Sequence, residues 1–217
     1  MYQETFTLKI LKVLSEYWTR VVSLDIETDT RDGQFLIGER ILGLSLACRD
    51  EGYLTQSEGV SVATFVLEED TDEAEMQMLQ KVGEALDVVR PLGVLGYNHR
   101  SYDLPLLSMK LERYKKTIKP WKLVDLIQQS VPIDFIFVLR KMFKERSLRG
   151  VLQASELSDL PLVRQKNLIS ERFDDKAQDI YHLWMEDLDT FRYYIEGDAL
   201  NILLIAEYII NEGRFNI

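Results

Sequence analysis

Residues 23–28, SLDIET, place Asp25 and Glu27 two positions apart in an otherwise apolar stretch. On a strand, residues i and i+2 share a face, so the two carboxylates stand side by side. Like charges that close repel unless something positive sits between them. Two further clusters carry acids in similar company. GYNHRSYDLPLL (96–107) puts Asn98 and Asp103 just beyond a strand-like run. YYIEGDALNILLI (193–205) spaces Tyr194 and Asp198 by four, hence on one face of a helix. Singly, each has a structural explanation: a solvated Asp-x-Glu edge, Asn98 as a turn residue, Asp103 as an N-cap before Pro105, Asp198 as a buried hydrogen-bonded acid. Together, Asp25, Glu27, Asp103 and Asp198 would repel ruinously without cations, and with two divalent ions they form an oxygen-rich site suited to Mg²⁺ or Mn²⁺. Two such ions about 4 Å apart can clamp the attacking and leaving oxygens of a phosphodiester. Tyr194, one turn before Asp198, can hold the attacking water by a hydrogen bond.

The elements that must position these groups are legible as patterns. RVVSLDIET (20–28), ILGLSLACR (41–49), SVATFVL (61–67) and LGVLGYN (92–98) are apolar, β-branched and bounded by turn residues, so they read as strands. TRDGQFLIGER between the first two reads as a hairpin connection or loop. The acidic run EEDTDEAE (68–75) reads as a helix start with Asp70 and Glu73 at capping-box spacing. Met76, Leu79, Val82, Ala85, Leu86 and Val89 then follow helical spacing. After Asn98 the pattern is mostly helical: 103–112 with Pro105 in its first turn, amphipathic stretches at 127–143 and 147–157, and a long segment from about 178 to 211 with a break. Strands, a helix, a strand and then helices define an α/β layout with mixed strand directions.

Composition bounds the alternatives. The 217 residues suit one domain, and 46% hydrophobic residues supply a core. A single cysteine, Cys48, excludes an internal disulfide framework and a cysteine zinc site. No apolar stretch is long enough to span a bilayer, and MYQETFTLKILKVLSEYW lacks the features of a signal peptide. A soluble cytoplasmic protein without a membrane partner is expected. The net charge of −10 argues against a nucleic-acid partner, but it is unevenly spread. Residues 113–149 carry ten basic side chains against Asp125, Asp134 and Glu145, a local charge of +7. That zone can steer phosphate, and two ordinary solvated helices would show the same.

LDIET, YNHRSYD and YIEGD resemble the three motifs of the DEDD superfamily of 3′→5′ exonucleases, above all the proofreading domain of family B DNA polymerases. In that family the first motif is Asp-x-Glu, matched by Asp25 and Glu27. The second is Asn-x-x-x-(Phe/Tyr)-Asp, matched by Asn98, Tyr102 and Asp103, and the third is Tyr-x-x-x-Asp, matched by Tyr194 and Asp198. A sister subclass has His five positions before the last Asp; Tyr193 stands there, and neither His99 nor His182 fits, so the likeness is to the tyrosine subclass. It covers about residues 18–210, and the length leaves no room for polymerase palm, fingers or thumb, so a single free-standing exonuclease domain over 1–217 is expected.

The resemblance implies a ribonuclease H-like fold, a mixed five-stranded β-sheet flanked by α-helices. It implies that Asp25 bridges both metals, that Glu27 and Asp198 complete one site, and that Asp103 supports the other. Thr28 matches a position whose backbone meets the terminal nucleotide, and Asn98 and Tyr102 position substrate or the second motif. Tyr102 can stack on the terminal base or pack in the core. The basic residues of 113–149 and Trp121 are candidate strand-tracking groups. The implied activity releases nucleoside 5′-monophosphates from single-stranded 3′ ends, with DNA preferred over RNA. The alternatives are an exoribonuclease, or a non-catalytic module working through a polymerase or repair partner.

Overall fold

The structure is a computed structural model that describes residues 2–31, 36, 38–50, 59–115, 123, 127–145, 147–163 and 176–213. Lys116, Lys119, Trp121, Lys122 and Arg146 of the basic zone lie outside the described residues, as does most of the segment 122–126.

The β-branched, apolar runs form the central sheet: β1 (Val21–Asp29), β2 (Arg40–Arg49), β3 (Val60–Val66), β4 (Gly93–Gly96) and β5 (Val131–Asp134). Their order is β3-β2-β1-β4-β5. β2 runs antiparallel to both β1 and β3, whereas β4 and β5 join β1 in a parallel half. Around the sheet lie α1 (Tyr2–Leu14), α2 (Asp72–Val89), α3 (Asp103–Tyr114), α4 (Ile136–Phe143), α5 (Leu148–Leu152), α6 (Lys176–Glu186) and α7 (Leu188–Asn211). This is a mixed five-stranded α/β sheet flanked by helices, consistent with the ribonuclease H-like class.

Strand alternation divides β1 between two jobs. Val22, Leu24 and Ile26 share a core with Leu79, Val82 and Leu86 of α2 and Leu106 and Leu107 of α3. Val21 joins Leu8 and Leu11 of α1, Val138 and Leu139 of α4, and Ile202 and Ile205 of α7 in a second core. The remaining alternate positions, Asp25 and Glu27, carry the acids.

Three features shape the sheet where those acids stand. Parallel pairing of β1 with β4 covers only Val21–Ser23 against Gly93–Leu95, so the two strands part before Asp25. The carboxyl ends of β1, β4 and β5 all face that gap, the place where open α/β sheets bind ligands. Next, a bulge interrupts the β1–β2 ladder: Glu27 faces Gly43, Thr28 faces Ile41, and Leu42 is the extra residue. Finally, the fully buried Glu75 on α2 fixes the start of β2. It accepts from Ile41 N (2.7 Å), Arg40 Nη1 (3.1 Å), Lys110 Nζ (2.8 Å) and the Tyr114 hydroxyl, tying α2, α3 and β2 together.

Several local expectations need correction. The 127–143 stretch contains a strand: VPID pairs with β4 from Val131 to Asp134, and the helix starts only at Ile136. A run of four residues is too short to show either the strand or the helix period, and the partner that decides lies far away in sequence. Helix α2 is capped by Thr71, whose side chain accepts from Ala74 N (3.2 Å), so the Asp70–Glu73 capping box does not form; Asp70 instead meets Arg40 Nε at 3.0 Å. Asp103 is not the N-cap of α3 but its first residue, after Tyr102. The 147–157 helix shortens to α5 and a 3₁₀ turn at Ser155–Leu157. The break in the last segment is Asp187, which caps α7 by accepting from Thr190 N (3.1 Å) and Thr190 Oγ1 (2.8 Å). Among the described residues, no helix is long and apolar enough to cross a membrane.

Candidate metal centre

β1 presents Asp25 and Glu27, each half-buried, toward α7. Helix α7 brings Asp198, 3% exposed, to the same place, and carboxylate oxygens of the three acids lie within 4.8 Å of one another. A glycine makes room for that closeness. A Cβ at Gly43, opposite Glu27, would come within 2.7 Å of Ile195 Cδ1 and 2.9 Å of Phe191 Cε1, so these α7 side chains would have to shift. Asn201, one turn beyond Asp198, holds α7 from its other side. Its amide accepts from Val163 N and donates to Val163 O, both at 2.8 Å.

Tyr194, buried one turn before Asp198, donates its hydroxyl proton toward Glu27. Burial, then the charges of Glu27, Asp198 and Asp25, push its phenol well above the ordinary tyrosine value, so it keeps its proton and acts as a donor.

Asp103 lies outside the close trio. It is buried at the start of α3, in the gap between β1 and β4, and its carboxyl accepts from its own N–H and that of Ile26. Burial above all, followed by the charges of Glu27 and Asp134, pushes its pKa up to about 7. A cation is the natural partner for an acid so placed.

The other expected site residues fall nearby with varied environments. Asn98 turns the chain after β4 at φ +65°, a left-handed conformation asparagine tolerates. Its N–H donates to Asp134 Oδ1 (2.9 Å), while Arg100 N donates to Asp134 Oδ2 (3.2 Å) and Ile136 N to Asp134 Oδ1 (3.0 Å). Asp134, at the carboxyl end of β5, thus holds the 98–100 turn in place. Thr28 is buried, and its hydroxyl meets Glu39 Oε2 (3.1 Å) and the Tyr102 hydroxyl (2.5 Å). Tyr102 packs its ring against the first core and donates its hydroxyl to Glu39. Of the described basic residues, Arg113 is engaged with Asp72 (2.6 Å) and Lys115 with Glu112.

Sequence reasoning missed Glu39, Gly43, Asp134 and Asn201. Each acts through a partner distant in the chain, and only Asp134, an acid ending an apolar run before an apolar helix, left a local trace. The trio can hold a metal ion. Its donors are all carboxylate oxygens, the chemistry of Mg²⁺ or Mn²⁺ rather than of a softer ion.

No protein-family model matches the chain, and no curated protein does. Among solved structures, the chain is similar to the family B DNA polymerase from the hyperthermophilic archaeon Pyrobaculum calidifontis, at 18% identity and a TM-score of 0.48. The match covers 88% of this chain and 24% of the polymerase, so the chain spans about a quarter of that protein.

Proposed function

We propose that this chain is a single-domain, metal-dependent 3′→5′ exonuclease of the tyrosine DEDD subclass, acting on single-stranded DNA. The observation that carries the reading is the meeting of Asp25, Glu27 and Asp198 within 4.8 Å, with Tyr194 donating to Glu27.

In this reading Asp25, Glu27 and Asp198 would hold divalent metal through their carboxylates, and Asp103 would support it from the start of α3. When bound, the metal lowers the pKa of water and offsets charge on the leaving oxygen. Tyr194, its proton given to Glu27, has an oxygen lone pair left to accept from the attacking water and so orient it. The water gives one proton to solvent as its oxygen attacks the terminal phosphorus, the bond from phosphorus to the preceding 3′ oxygen breaks, and that oxygen takes a proton from solvent. A nucleoside 5′-monophosphate leaves, and the shortened strand keeps a 3′ hydroxyl. Thr28, Asn98 and Tyr102 frame the terminal nucleotide from the carboxyl ends of β1 and β4.

The test uses DNA and RNA oligonucleotides of one sequence, labelled at the 3′-terminal nucleotide, with Mn²⁺, Mg²⁺ or EDTA. Release of labelled 5′-mononucleotide from DNA with metal alone is the expected result. Release from RNA alone would reassign the substrate. Release of labelled oligonucleotides, or none from either strand, would overturn the reading.

A further inference from the structure

Glu39 is an acid with no place in the metal trio, yet it is 4% exposed and both its oxygens are engaged. Oε1 accepts from Leu36 N at 2.9 Å. Oε2 accepts from the Tyr102 hydroxyl and from Thr28 Oγ1 (3.1 Å), and the two hydroxyls also touch each other. One buried carboxylate therefore joins three stretches: the turn before β2, the end of β1, and the residue before α3.

What it joins borders the acids. Thr28 adjoins Glu27 at the bulge, where the ladder shifts by one residue. Tyr102 immediately precedes Asp103, and its carbonyl accepts from Leu106 N (2.9 Å), so its position sets where α3 begins. Leu36 stands at φ +65°, which a leucine adopts only when held there. The Glu39 bond to Leu36 N supplies a hold.

From this connection we propose that Glu39 is a positioning residue: through Thr28 and Tyr102 it fixes the distance between Glu27 on β1 and Asp103 on α3. The role rests on the exonuclease reading. It also gives Tyr102 a duty other than base stacking, because its hydroxyl is directed at Glu39. The chemistry requires a carboxylate. Hydrogen-bond donors arrive at both oxygens, and an amide can match one side only. With its oxygen toward Leu36, a glutamine NH₂ faces the two hydroxyls as a donor; one hydroxyl can then donate to the other, and the second proton loses its acceptor.

The test compares Glu39→Gln, Tyr102→Phe and their double variant with wild type on 5′-labelled single-stranded DNA. Mn²⁺ affinity is read separately from the electron paramagnetic resonance signal of free Mn²⁺. Glu39→Gln is expected to lower kcat about 10–100-fold and to weaken Mn²⁺ binding, with KM for DNA within about threefold, as for groups that orient metal ligands. The double variant should fall no further than the worse single one, because both cut the same tie. A folded Glu39→Gln protein with wild-type kcat and Mn²⁺ affinity would overturn the role, and so would losses that multiply in the double variant. If Glu39→Gln does not fold, Tyr102→Phe with Thr28→Val carries the same comparison. A wild type that binds Mn²⁺ but cuts nothing overturns the exonuclease reading, and the variants' Mn²⁺ affinities then still judge Glu39.

Discussion

Gly43 faces Glu27 across the β1–β2 ladder, and the space a side chain would take there is filled by Ile195 and Phe191 of α7. The close approach of helix to strand is what lets Asp198 reach the β1 acids. Gly43→Val should force α7 outward, costing about 1–3 kcal/mol as overpacking does. For a chain of this size that lowers Tm by about 2–12 °C. Metal binding should weaken in the folded fraction. A thermal melt and a Mn²⁺ titration check both, and a variant with wild-type Tm and affinity would show that the approach is not needed.

Asp103 gives the metal-free protein a pH dependence. Its folded pKa of about 7 lies above its ordinary 3.8, so the folded state binds the proton more tightly. The stability this contributes is full below about pH 4 and is lost as pH rises through about 7. Within that window each pH unit costs up to about 1.4 kcal/mol, or about 3–6 °C in Tm. In EDTA, Tm should fall between pH 5 and pH 8, and Asp103→Asn should flatten the fall. An unchanged slope in Asp103→Asn would remove Asp103 as its source.

Tyr194 should not act as a base. Its proton is held first of all by burial, which persists when metal offsets the neighbouring carboxylates, so no loss of activity between pH 7 and 10 should trace to its ionisation. Tyr194→Phe should lower kcat about 10–100-fold, in line with loss of an orienting group, and leave KM nearly unchanged. Rate–pH profiles of wild type and variant check this. An alkaline limb present in wild type and absent from Tyr194→Phe would contradict it.

The partition between what the sequence disclosed and what it hid follows from range. Asp25 with Glu27, and Tyr194 with Asp198, were readable because periods of 2.0 and 3.6 fix a shared face within a few residues. The sheet's first four strands announced themselves through β-branched runs. β5 did not, because four residues of VPID carry no periodicity of their own and are strand only through pairing with β4. Glu39 was invisible, and Asp134 left no more than a local trace, for a related reason. Glu39 meets Tyr102 and Asp134 meets Asn98, contacts 63 and 36 residues apart in the chain. The N-terminal segment, read for targeting signals alone, is α1, whose Leu8 and Leu11 fill the second core.

A buried ion pair far from the acids offers a control for stability without chemistry. Arg49 on β2 grips Glu207 near the end of α7 with two bonds of 2.6 Å, and Trp18 Nε1 donates to the same carboxylate at 2.7 Å. Glu207→Ala removes the carboxylate that Arg49 and Trp18 share and takes this counter-ion from a buried charge, which costs about 3–5 kcal/mol. Denaturant unfolding should show that loss, while cleavage per folded molecule stays at the wild-type rate. A large stability loss accompanied by an equal fall in the rate of folded protein would show that the pair reaches the acids after all.

The most direct measurement is the cleavage of one 5′-labelled single-stranded DNA by wild type and by Asp25→Asn, side by side in Mn²⁺, with folding of both verified by circular dichroism. Removing one charge from a crowded acidic cluster should leave the metal-free fold as stable as before, or more so. The predicted result is a ladder shortening from the 3′ end with wild type, abolished by EDTA and reduced about 100-fold or more in Asp25→Asn. A folded Asp25→Asn protein that trims the strand at the wild-type rate would contradict the account at its centre.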